Sequence, residues 1–398
     1  MFVDELCGSW MDHPFWNKKV LLNNPTDLAK IVASPVREVW IDTSKGLDVA
    51  VAPPPASTPP SAAAPKPMAP PRESLQAEVA RATRICGKAK TAITAMFQEV
   101  RMGRAVEPAA LAPLVDEIAS SVQRNPSALI SLARLKTIDD YTYLHSVAVC
   151  GLMISLARQM NVEEKYIRDL GLAGLVHDLG KAAIPLEILN KPGKLTDDEF
   201  KVVQNHPLAG YEMLVEGGGV GEIPLDVARH HHEKMDGSGY PDKLGGEHIS
   251  LFAKMGAVCD VYDAITSNRP YKAGWSPAES LCKMAEWSNG HFDKTVFHAF
   301  VNCIGIYPVA SLVRLESGLL GVVTENASAN PLTPIVKTFY CTKRKERLYT
   351  KVIDLSKCGG RDKIVGWESP SNWNFPDLEE MWSGIAAPTE TRATAKAG

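Results

Sequence analysis

Apolar residues recur at intervals of three and four along the middle of the chain, a spacing that predicts helices. The first such stripe lies in residues 72–104 and includes Val79, Ile85 and Ile93. Further helices are predicted over residues 111–124, 127–135, 146–160 and 163–175. Prolines and glycines, such as Pro126, supply the breaks between them. We therefore expect residues 72–300 to form an all-helical bundle.

Alternation of apolar and polar residues predicts short strands at both ends of the chain. Residues 19–22 and 36–42 are interpreted as strands of a small N-terminal module. The candidate core of this module is aromatic and consists of Trp10, Phe15, Trp16 and Trp40. Beyond Ile306, the runs SLVRLESGLLGVVTE, PIVKTFYCT and KVIDLS predict a second β unit. The predicted fold class is mainly α, with a helical bundle in the middle and a small β-rich unit at each end.

A proline-rich segment divides the chain at residues 49–71, which contain nine prolines and almost no charge. Such a segment cannot bury a core and should act as a semi-rigid spacer. The predicted domains are a β-rich module at 1–48, this linker at 49–71, a helical connector at 72–134, the domain with the candidate chemistry at 135–305, a C-terminal β appendage at 306–385 and a disordered tail at 386–398.

Composition and charge narrow the functional classes. The chain has 398 residues, 45% of them hydrophobic and 22% charged, and a formal net charge of −3. This balance is typical of a folded protein and argues against a duplex nucleic-acid partner held by phosphate neutralisation. No apolar run is long enough to span a membrane, and no secretory signal is recognised. The eight cysteines form no CxxC pair, so we expect reduced thiols in a cytoplasmic protein.

Six of the ten histidines lie in motifs of the predicted bundle that set them apart from the other four, and two aspartates accompany them. These eight residues are His145, His177, His206, His230, His231, His232, Asp178 and Asp260. The other histidines are interpreted as packed or surface residues: His13, His248, His291 and His298. The apolar neighbours of Asp178 imply burial, and a buried carboxylate needs a cation or dense hydrogen bonding. Imidazole and carboxylate ligands suit Fe, Mn, Ni or Zn, and the set is large enough for two metals that share Asp178.

The order of longer motifs strengthens this hypothesis. HDLGK resembles the signature of the HD superfamily of metal-dependent phosphohydrolases. The series TYLHS, HDLGKAAIP, LNKPGKLTDDEF, HPLAG, HHEKMDGSGYP and DVYDAITSNRPYK resembles the HD-GYP subfamily of bacterial cyclic di-GMP phosphodiesterases over residues 135–300, with Gly239-Tyr240-Pro241 as the GYP triplet. The N-terminal unit, with CGSWMDHPFW, is similar to an uncharacterised domain often found ahead of HD-GYP domains.

The resemblance implies a ligand set for each of two divalent transition-metal ions, with Fe or Mn placed before Ni or Zn. One ion would be held by His145, His177, Asp178 and Asp260, and the other by Asp178, His206, His231 and His232. His230 lies outside the family's ligand pair. Some HD-GYP proteins hold a third metal through a glutamate at the position of Tyr141, so we expect two metals here.

Further side chains are expected around the metals. Lys181 is four residues after His177, one helical turn away and on the same face, and is assigned a catalytic role on the phosphate together with Asp178. Asp263 is expected to orient ligands rather than bind metal. The resemblance implies that Arg269 and Lys272, in SNRPYK, contact the substrate. Tyr240 is in a loop, where it either stacks on a base or anchors the loop.

Two cations joined by a carboxylate can give hydroxide at neutral pH and hold a phosphodiester for in-line attack. The expected activity is therefore hydrolysis of cyclic di-GMP to linear pGpG, with a second cut to GMP left open. Alternatives are the same reaction on another cyclic dinucleotide, such as cyclic GMP-AMP, or a catalytically silent module that binds the dinucleotide or a cyclase domain. The resemblance implies contact of the GYP loop with diguanylate cyclase (GGDEF) domains, and the stripe in residues 72–104 could form a homodimer.

Overall fold

The computed structural model describes the backbone of residues 2–6, 20–21 and 39–41, and then residues 73–134, 141–267, 274–326 and 330–385. The chain divides into two compact units, residues 1–68 and 69–398. The predicted linker at 49–71, the tail at 386–398 and the side chains of Trp10, Phe15, Trp16 and Trp40 lie outside this description.

The first unit contains an antiparallel sheet of three described strands, β1 (Phe2–Leu6), β2 (Val20–Leu21) and β3 (Val39–Ile41). Their order is β2–β1–β3, and Val3 pairs with Ile41. Strands β2 and β3 lie within the segments that the sequence predicts. The central strand β1 was missed, because FVDEL is too short to show a clear alternation.

The second unit is mainly helical, which confirms the predicted fold class. Its α-helices in the described residues are α1 (Leu75–Arg101), α2 (Ala112–Arg124), α3 (Pro126–Arg134), α4 (Tyr141–Gln159), α5 (Ile167–Val176), α6 (Leu186–Leu189), α7 (Asp197–Val203), α8 (His206–Gly217), α9 (Glu222–His230), α10 (Leu251–Thr266), α11 (Pro277–Trp287), α12 (Lys294–Ile304) and α13 (Leu378–Ser383). Short 3-10 turns interrupt them, including one at Leu179–Ala183.

Helix α4 lies at the centre of the bundle, where it packs against α1, α2, α3, α5, α10 and α12. Residues 145–157 of this helix are all buried, so its sequence carries no exposed polar face. Gly174 of α5 allows a close approach, because a Cβ there would lie 2.6 Å from the backbone N and Cα of Cys150. This contact brings the end of α5 beside the middle of α4.

Helix α4 begins five residues earlier than the predicted start at residue 146, so His145 lies inside a helix. The apolar stripe of α1 packs inward: Val79, Ile85 and Ile93 are buried within the single chain. This stripe therefore serves the bundle core. The homodimer stays a prediction.

The C-terminal part of the second unit contains an antiparallel sheet in the order β7–β6–β5–β4–β8. Its strands are β4 (Leu312–Leu315), β5 (Leu319–Glu325), β6 (Ile335–Cys341), β7 (Glu346–Asp354) and β8 (Ile364–Trp367). Strands β4, β5 and β6 match the predicted runs, and the run KVIDLS covers only the end of β7, whereas β8 and α13 were not predicted. The exact domain boundaries stay a prediction.

Among the described residues, none of the helices combines the length and the apolarity that crossing a bilayer requires. Cys150, Cys259, Cys282, Cys303 and Cys358 are free thiols.

A buried ion pair joins α1 to α2. The Glu78 carboxylate is fully buried and accepts two hydrogen bonds from Arg124, each 2.8 Å long, and one of 2.9 Å from Arg81. The hydrogen bonds that Arg124 donates to Glu78 also raise the pKa of Arg124. We expect Glu78→Gln to lower the free energy of unfolding by about 2 kcal/mol, because both guanidinium groups lose their buried counter-charge.

Urea denaturation followed by circular dichroism measures this change. The matched control is Glu117→Gln, which breaks an exposed pair with Lys88 of 2.7 Å. Because water screens that pair, its loss should cost about 0.5 kcal/mol or less. Equal shifts for the two variants would contradict the importance of burial at Glu78.

Candidate metal centre

Five segments of the helical bundle supply the candidate ligands. His145 lies in the second turn of α4, and His177 and Asp178 follow directly after the end of α5. His206 opens α8, His231 and His232 follow α9, and Asp260 lies in α10. All are buried except the half-buried His232. The site forms where α5 and α10 both pack against α4.

The ligand atoms form two overlapping groups. His145, His177 and Asp178 bring one ligand atom each within 4.8 Å of one another, and Asp178 does the same with His206, His231 and His232. Asp260 adjoins the first group, since its Oδ1 lies 3.0 Å from Nε2 of His145 and 3.7 Å from Nε2 of His177. The structure thus brings together all seven residues named from the sequence, with Asp178 common to both groups.

Four of these histidines have a fixed orientation. Their Nδ1 atoms lie at hydrogen-bond distance from acceptors outside the cluster: Asp263 Oδ2 for His145 at 2.7 Å, Gly174 O for His177 at 2.9 Å, Val203 O for His206 at 2.7 Å and Val227 O for His231 at 3.0 Å. A carbonyl only accepts, so Nδ1 carries the proton and donates it. In the neutral ring each Nε2 then has a lone pair that faces the cluster and is available to a cation.

These lone pairs face one another in two places. Nε2 of His177 lies 3.3 Å from Nε2 of His145, and Nε2 of His206 lies 3.4 Å from Nε2 of His231. Asp178 Oδ1 is buried without a hydrogen bond and lies 3.2 Å from Nε2 of His206. Acceptors so placed repel unless a cation or a proton lies between them. The donor set therefore fits divalent transition-metal ions.

The two groups differ in their charge. Burial opposes protonation of His145, but hydrogen bonds to Asp178, Asp260 and Asp263 outweigh it and raise its pKa to about 10. In the other group, burial lowers the pKa of His232 to about 3. The carboxylates thus surround the first group, whereas burial disfavours the charged form of His231 and His232 in the second group.

Asp178 stays ionised within this cluster. Its burial would raise the pKa of the carboxyl, but the charges of Lys181 and His177 and hydrogen bonds from the histidines hold that pKa well below its ordinary value. The same opposition applies to Asp260, where hydrogen bonds from His145 and His177 overcome burial and lower the pKa. Two carboxylates are thus available as anionic ligands at neutral pH.

The secondary structure that positions Lys181 differs from the predicted helix. Helix α5 ends at Val176, so His177 and Lys181 are not successive positions on one helical face. Lys181 lies instead in the 3-10 turn, and its ammonium group hydrogen-bonds to Asp178 Oδ2. The expected helical turn is therefore wrong, although Lys181 does contact the shared carboxylate.

The remaining predicted residues have varied positions. Asp263 accepts the hydrogen bond of His145 and is buried, which is the arrangement expected for a residue that orients a ligand. The Tyr240 ring stacks on His232, with 4.7 Å between centroids. His230 contacts Asp226 and Asp242 rather than the cluster. Arg269, Lys272 and the side chain of Tyr141 lie outside the described residues.

Several residues that shape the site were missed from the sequence. Gly290 and His291 accept backbone hydrogen bonds from the loop before the GYP triplet, at Asp236 and Met235. Glu233 is buried beside the ligands, where it accepts a hydrogen bond of 2.7 Å from the backbone of Asp242. Its position directly after three successive histidines was a sequence signal that could have identified Glu233. No local pattern connects residues 235–236 to 290–291.

Comparison with known protein families identifies the class. A model described as an HD domain matches residues 115–296, and a model described as a domain of unknown function, DUF3391, matches residues 1–111. The helical fold and the His-Asp cluster thus belong to an HD-domain protein.

Three relatives refine this class. A Pseudomonas aeruginosa protein named as a cyclic di-GMP phosphodiesterase is 53% identical over 98% of this chain and 94% of its own length. A Xanthomonas campestris response regulator named as a cyclic di-GMP phosphodiesterase is 44% identical over 36% of this chain and 38% of its own. A Vibrio cholerae protein named as a 3′3′-cGAMP-specific phosphodiesterase is 38% identical over 40% of this chain and 37% of its own. The chain belongs to the HD-GYP family of HD-domain phosphohydrolases, with the DUF3391 domain ahead of the HD domain.

Proposed function

We propose that this chain is a metal-dependent phosphodiesterase that hydrolyses cyclic di-GMP to linear pGpG. The observation that carries the proposal is the pair of facing imidazole contacts joined by Asp178, because such a donor set fits two cations. The relative that matches almost the whole chain bears the name of this activity.

The proposed ligand set follows the two groups. His145, His177, Asp178 and Asp260 hold one ion, and Asp178, His206, His231 and His232 hold the other. When bound, the two ions lower the pKa of a water molecule and offset the charge that gathers on the phosphodiester. Fe or Mn is proposed, because imidazole and carboxylate ligands together suit these ions.

The side chains of the protein orient the reactants. The Nδ1 contact with Asp263 fixes the ring of His145, so that its Nε2 points at the cluster. Lys181 is bound to Asp178 with about 22% of its side chain exposed, so its ammonium group can also approach a phosphate oxygen. In the overall reaction the water oxygen joins phosphorus, the ribose 3′ oxygen leaves, and the water proton ends on that oxygen.

Substrate contacts complete the proposal. Tyr240 provides an aromatic face beside His232 on which a guanine can stack. Arg269 and Lys272 are proposed to contact the phosphate or guanine, on the basis of the SNRPYK motif alone. The exposed Asp236 and Ser238 in the loop before Tyr240 are a candidate contact for a GGDEF domain. A cytoplasmic location is proposed as well, because the proposed substrate is a nucleotide second messenger.

A second candidate substrate is 3′3′-cGAMP, because one relative is named as specific for it. That relative matches only 40% of this chain, whereas the P. aeruginosa protein matches 98%. This difference in coverage favours cyclic di-GMP.

The test is metal analysis and turnover of the full chain purified under anaerobic, reducing conditions. We expect two Fe or Mn ions per chain and, by chromatography, pGpG as product, with kcat/KM for cyclic di-GMP at least about tenfold above that for 3′3′-cGAMP. Full metal occupancy without hydrolysis of either dinucleotide would refute the enzyme and favour a silent binding module. Faster hydrolysis of 3′3′-cGAMP would favour the second substrate.

A further inference from the structure

The segment after the GYP triplet is fastened to α9 through a single side chain, Asp242. Arg229 donates two hydrogen bonds to this carboxylate, from Nε to Oδ2 at 2.7 Å and from Nη2 to Oδ1 at 3.0 Å. Nε2 of His230 lies 3.0 Å from the same Oδ2. A bidentate guanidinium contact with a second ring nitrogen beside it gives the carboxylate one defined position.

Arg229 and His230, which bind Asp242, have further contacts of their own. Nδ1 of His230 lies 2.7 Å from Oδ1 of Asp226, and the Asp226 carboxylate also accepts a hydrogen bond from the Ser250 hydroxyl. The Arg229 guanidinium lies over the ring of Tyr211, 4.9 Å from its centroid. These contacts connect Asp242 to α8, α9 and the start of α10, so its anchor is rigid.

The backbone of Asp242 is also fixed, because its N–H donates to Oε1 of Glu233 at 2.7 Å. Glu233 directly follows His232, a proposed ligand. Asp242 is two residues after Tyr240, whose ring stacks on His232 with an interplanar angle of 26°. The position of the Tyr240 ring therefore depends on a loop whose C-terminal end is held by the contacts of Asp242.

The other side of the loop is tied by its backbone. Asp236 N–H donates to Gly290 O at 2.9 Å, and Tyr240 N–H donates to His232 O at 3.3 Å. Gly239 has no space for a side chain, since a Cβ would lie 2.5 Å from Cα of Glu233. The loop is thus pressed against the ligand segment, and Asp242 closes it with the only side-chain ion pairs described for residues 236–242.

We propose that Asp242 is a positioning residue for the substrate: through Arg229 and His230 it holds the Tyr240 ring against His232, which forms an aromatic wall for a base of the dinucleotide. The inference rests on the proposed function, because its measure is binding of a cyclic dinucleotide. Asp242 does not contact the ligand atoms and acts only through Tyr240.

The test compares two diesters that use the same metal centre. Cyclic di-GMP carries guanine bases, whereas bis(p-nitrophenyl) phosphate is a diester without them. Asp242→Ala should raise KM for cyclic di-GMP about tenfold, with kcat changed less than about twofold, because base stacking is lost while the metals stay in place. The kcat/KM for bis(p-nitrophenyl) phosphate and the metal content should stay at the wild-type values.

A double-mutant cycle with Tyr240→Ala separates positioning from a general structural effect. If Asp242 acts through Tyr240, Asp242→Ala should change KM less than about twofold in the Tyr240→Ala background. Full additivity of the two changes would overturn the proposal. Equal losses on both diesters together with lost metal would also overturn it, since Asp242 would then maintain the ligand cluster itself.

Two further variants keep the test decisive. Arg229→Ala breaks the same contact from α9 and should reproduce the KM effect, which gives a second cycle if Asp242→Ala does not fold. Asp377→Ala is the matched control, because it removes another bidentate pair, with Arg347, in the C-terminal part of the chain. This substitution should leave KM and kcat for both diesters unchanged.

The failure of this inference differs from that of the proposed function. If the wild-type protein cleaves bis(p-nitrophenyl) phosphate but not cyclic di-GMP, the proposed substrate is wrong, and this inference is wrong with it. A wild-type protein that cleaves both, with Asp242→Ala unchanged in KM, overturns only the role of Asp242.

Discussion

Asp178→Ala is expected to remove both metal ions and to lower the turnover of cyclic di-GMP by about 10⁴-fold or more. The reason is that Asp178 belongs to both ligand groups. Its Oδ2 lies 3.3 Å from Nε2 of His177, and its Oδ1 lies 3.2 Å from Nε2 of His206. Without this carboxylate the second group keeps only its three imidazoles, the first group keeps Asp260 as its carboxylate, and Lys181 loses its counter-charge.

Asp260→Ala is the informative comparison for this variant. Asp260 Oδ1 lies 3.0 Å from His145, whereas its Oδ2 approaches His232 only to 4.0 Å. We therefore expect Asp260→Ala to lose one ion and Asp178→Ala to lose two, as measured by elemental analysis, with helical circular dichroism retained in both. Wild-type turnover in Asp178→Ala, or one ion retained there, would contradict a shared carboxylate.

The helical bundle could be predicted because its pattern is local. The stripe of Val79, Ile85 and Ile93 determines one face of α1, and burial of that face in the structure follows from the same spacing. Strand β1 shows the limit of this reasoning. Its five residues, FVDEL, include two acids and become a strand only by pairing with Val20–Leu21 and Val39–Ile41.

The candidate site was predictable to the level of residue identity, since motifs carry it. Its geometry was not, because contacts between distant segments determine it. The position of Lys181 relative to His177 depends on where α5 ends. No proline or glycine between His177 and Leu179 marks that end. The backbone hydrogen bond from Asp236 to Gly290 joins residues more than fifty positions apart, and the identity of neither residue predicts it.

The close crossing of the 3-10 turn over α8 is a further contact that sequence alone could not reveal. A Cβ on Gly180 would lie 1.9 Å from His206 O and 2.5 Å from Gly210 N. Both partners are backbone atoms, so they cannot move aside as a flexible side chain can. This approach places Asp178 beside His206, and it therefore joins the two halves of the metal centre.

Gly180→Ala is expected to lower the free energy of unfolding by roughly 3 kcal/mol, because the methyl group forces the two backbones apart. A displacement of about 1 Å at His206 should also lower kcat/KM by about 100-fold and weaken the second ion, which Asp178 and His206 share. Urea denaturation, metal titration and turnover of the same preparation measure these effects together.

Gly87→Ala provides the matched control, because Gly87 lies in the interior of α1 and a Cβ there has no neighbour within 4 Å. This substitution should raise the free energy of unfolding by about 0.5–1 kcal/mol through helix propensity, without any change in metal content. A Gly180→Ala protein with wild-type stability and both ions would mean that the 3-10 turn and α8 can separate without loss of the centre. The contact between Asp178 and His206 would then depend on the ions themselves rather than on the packing of the backbone.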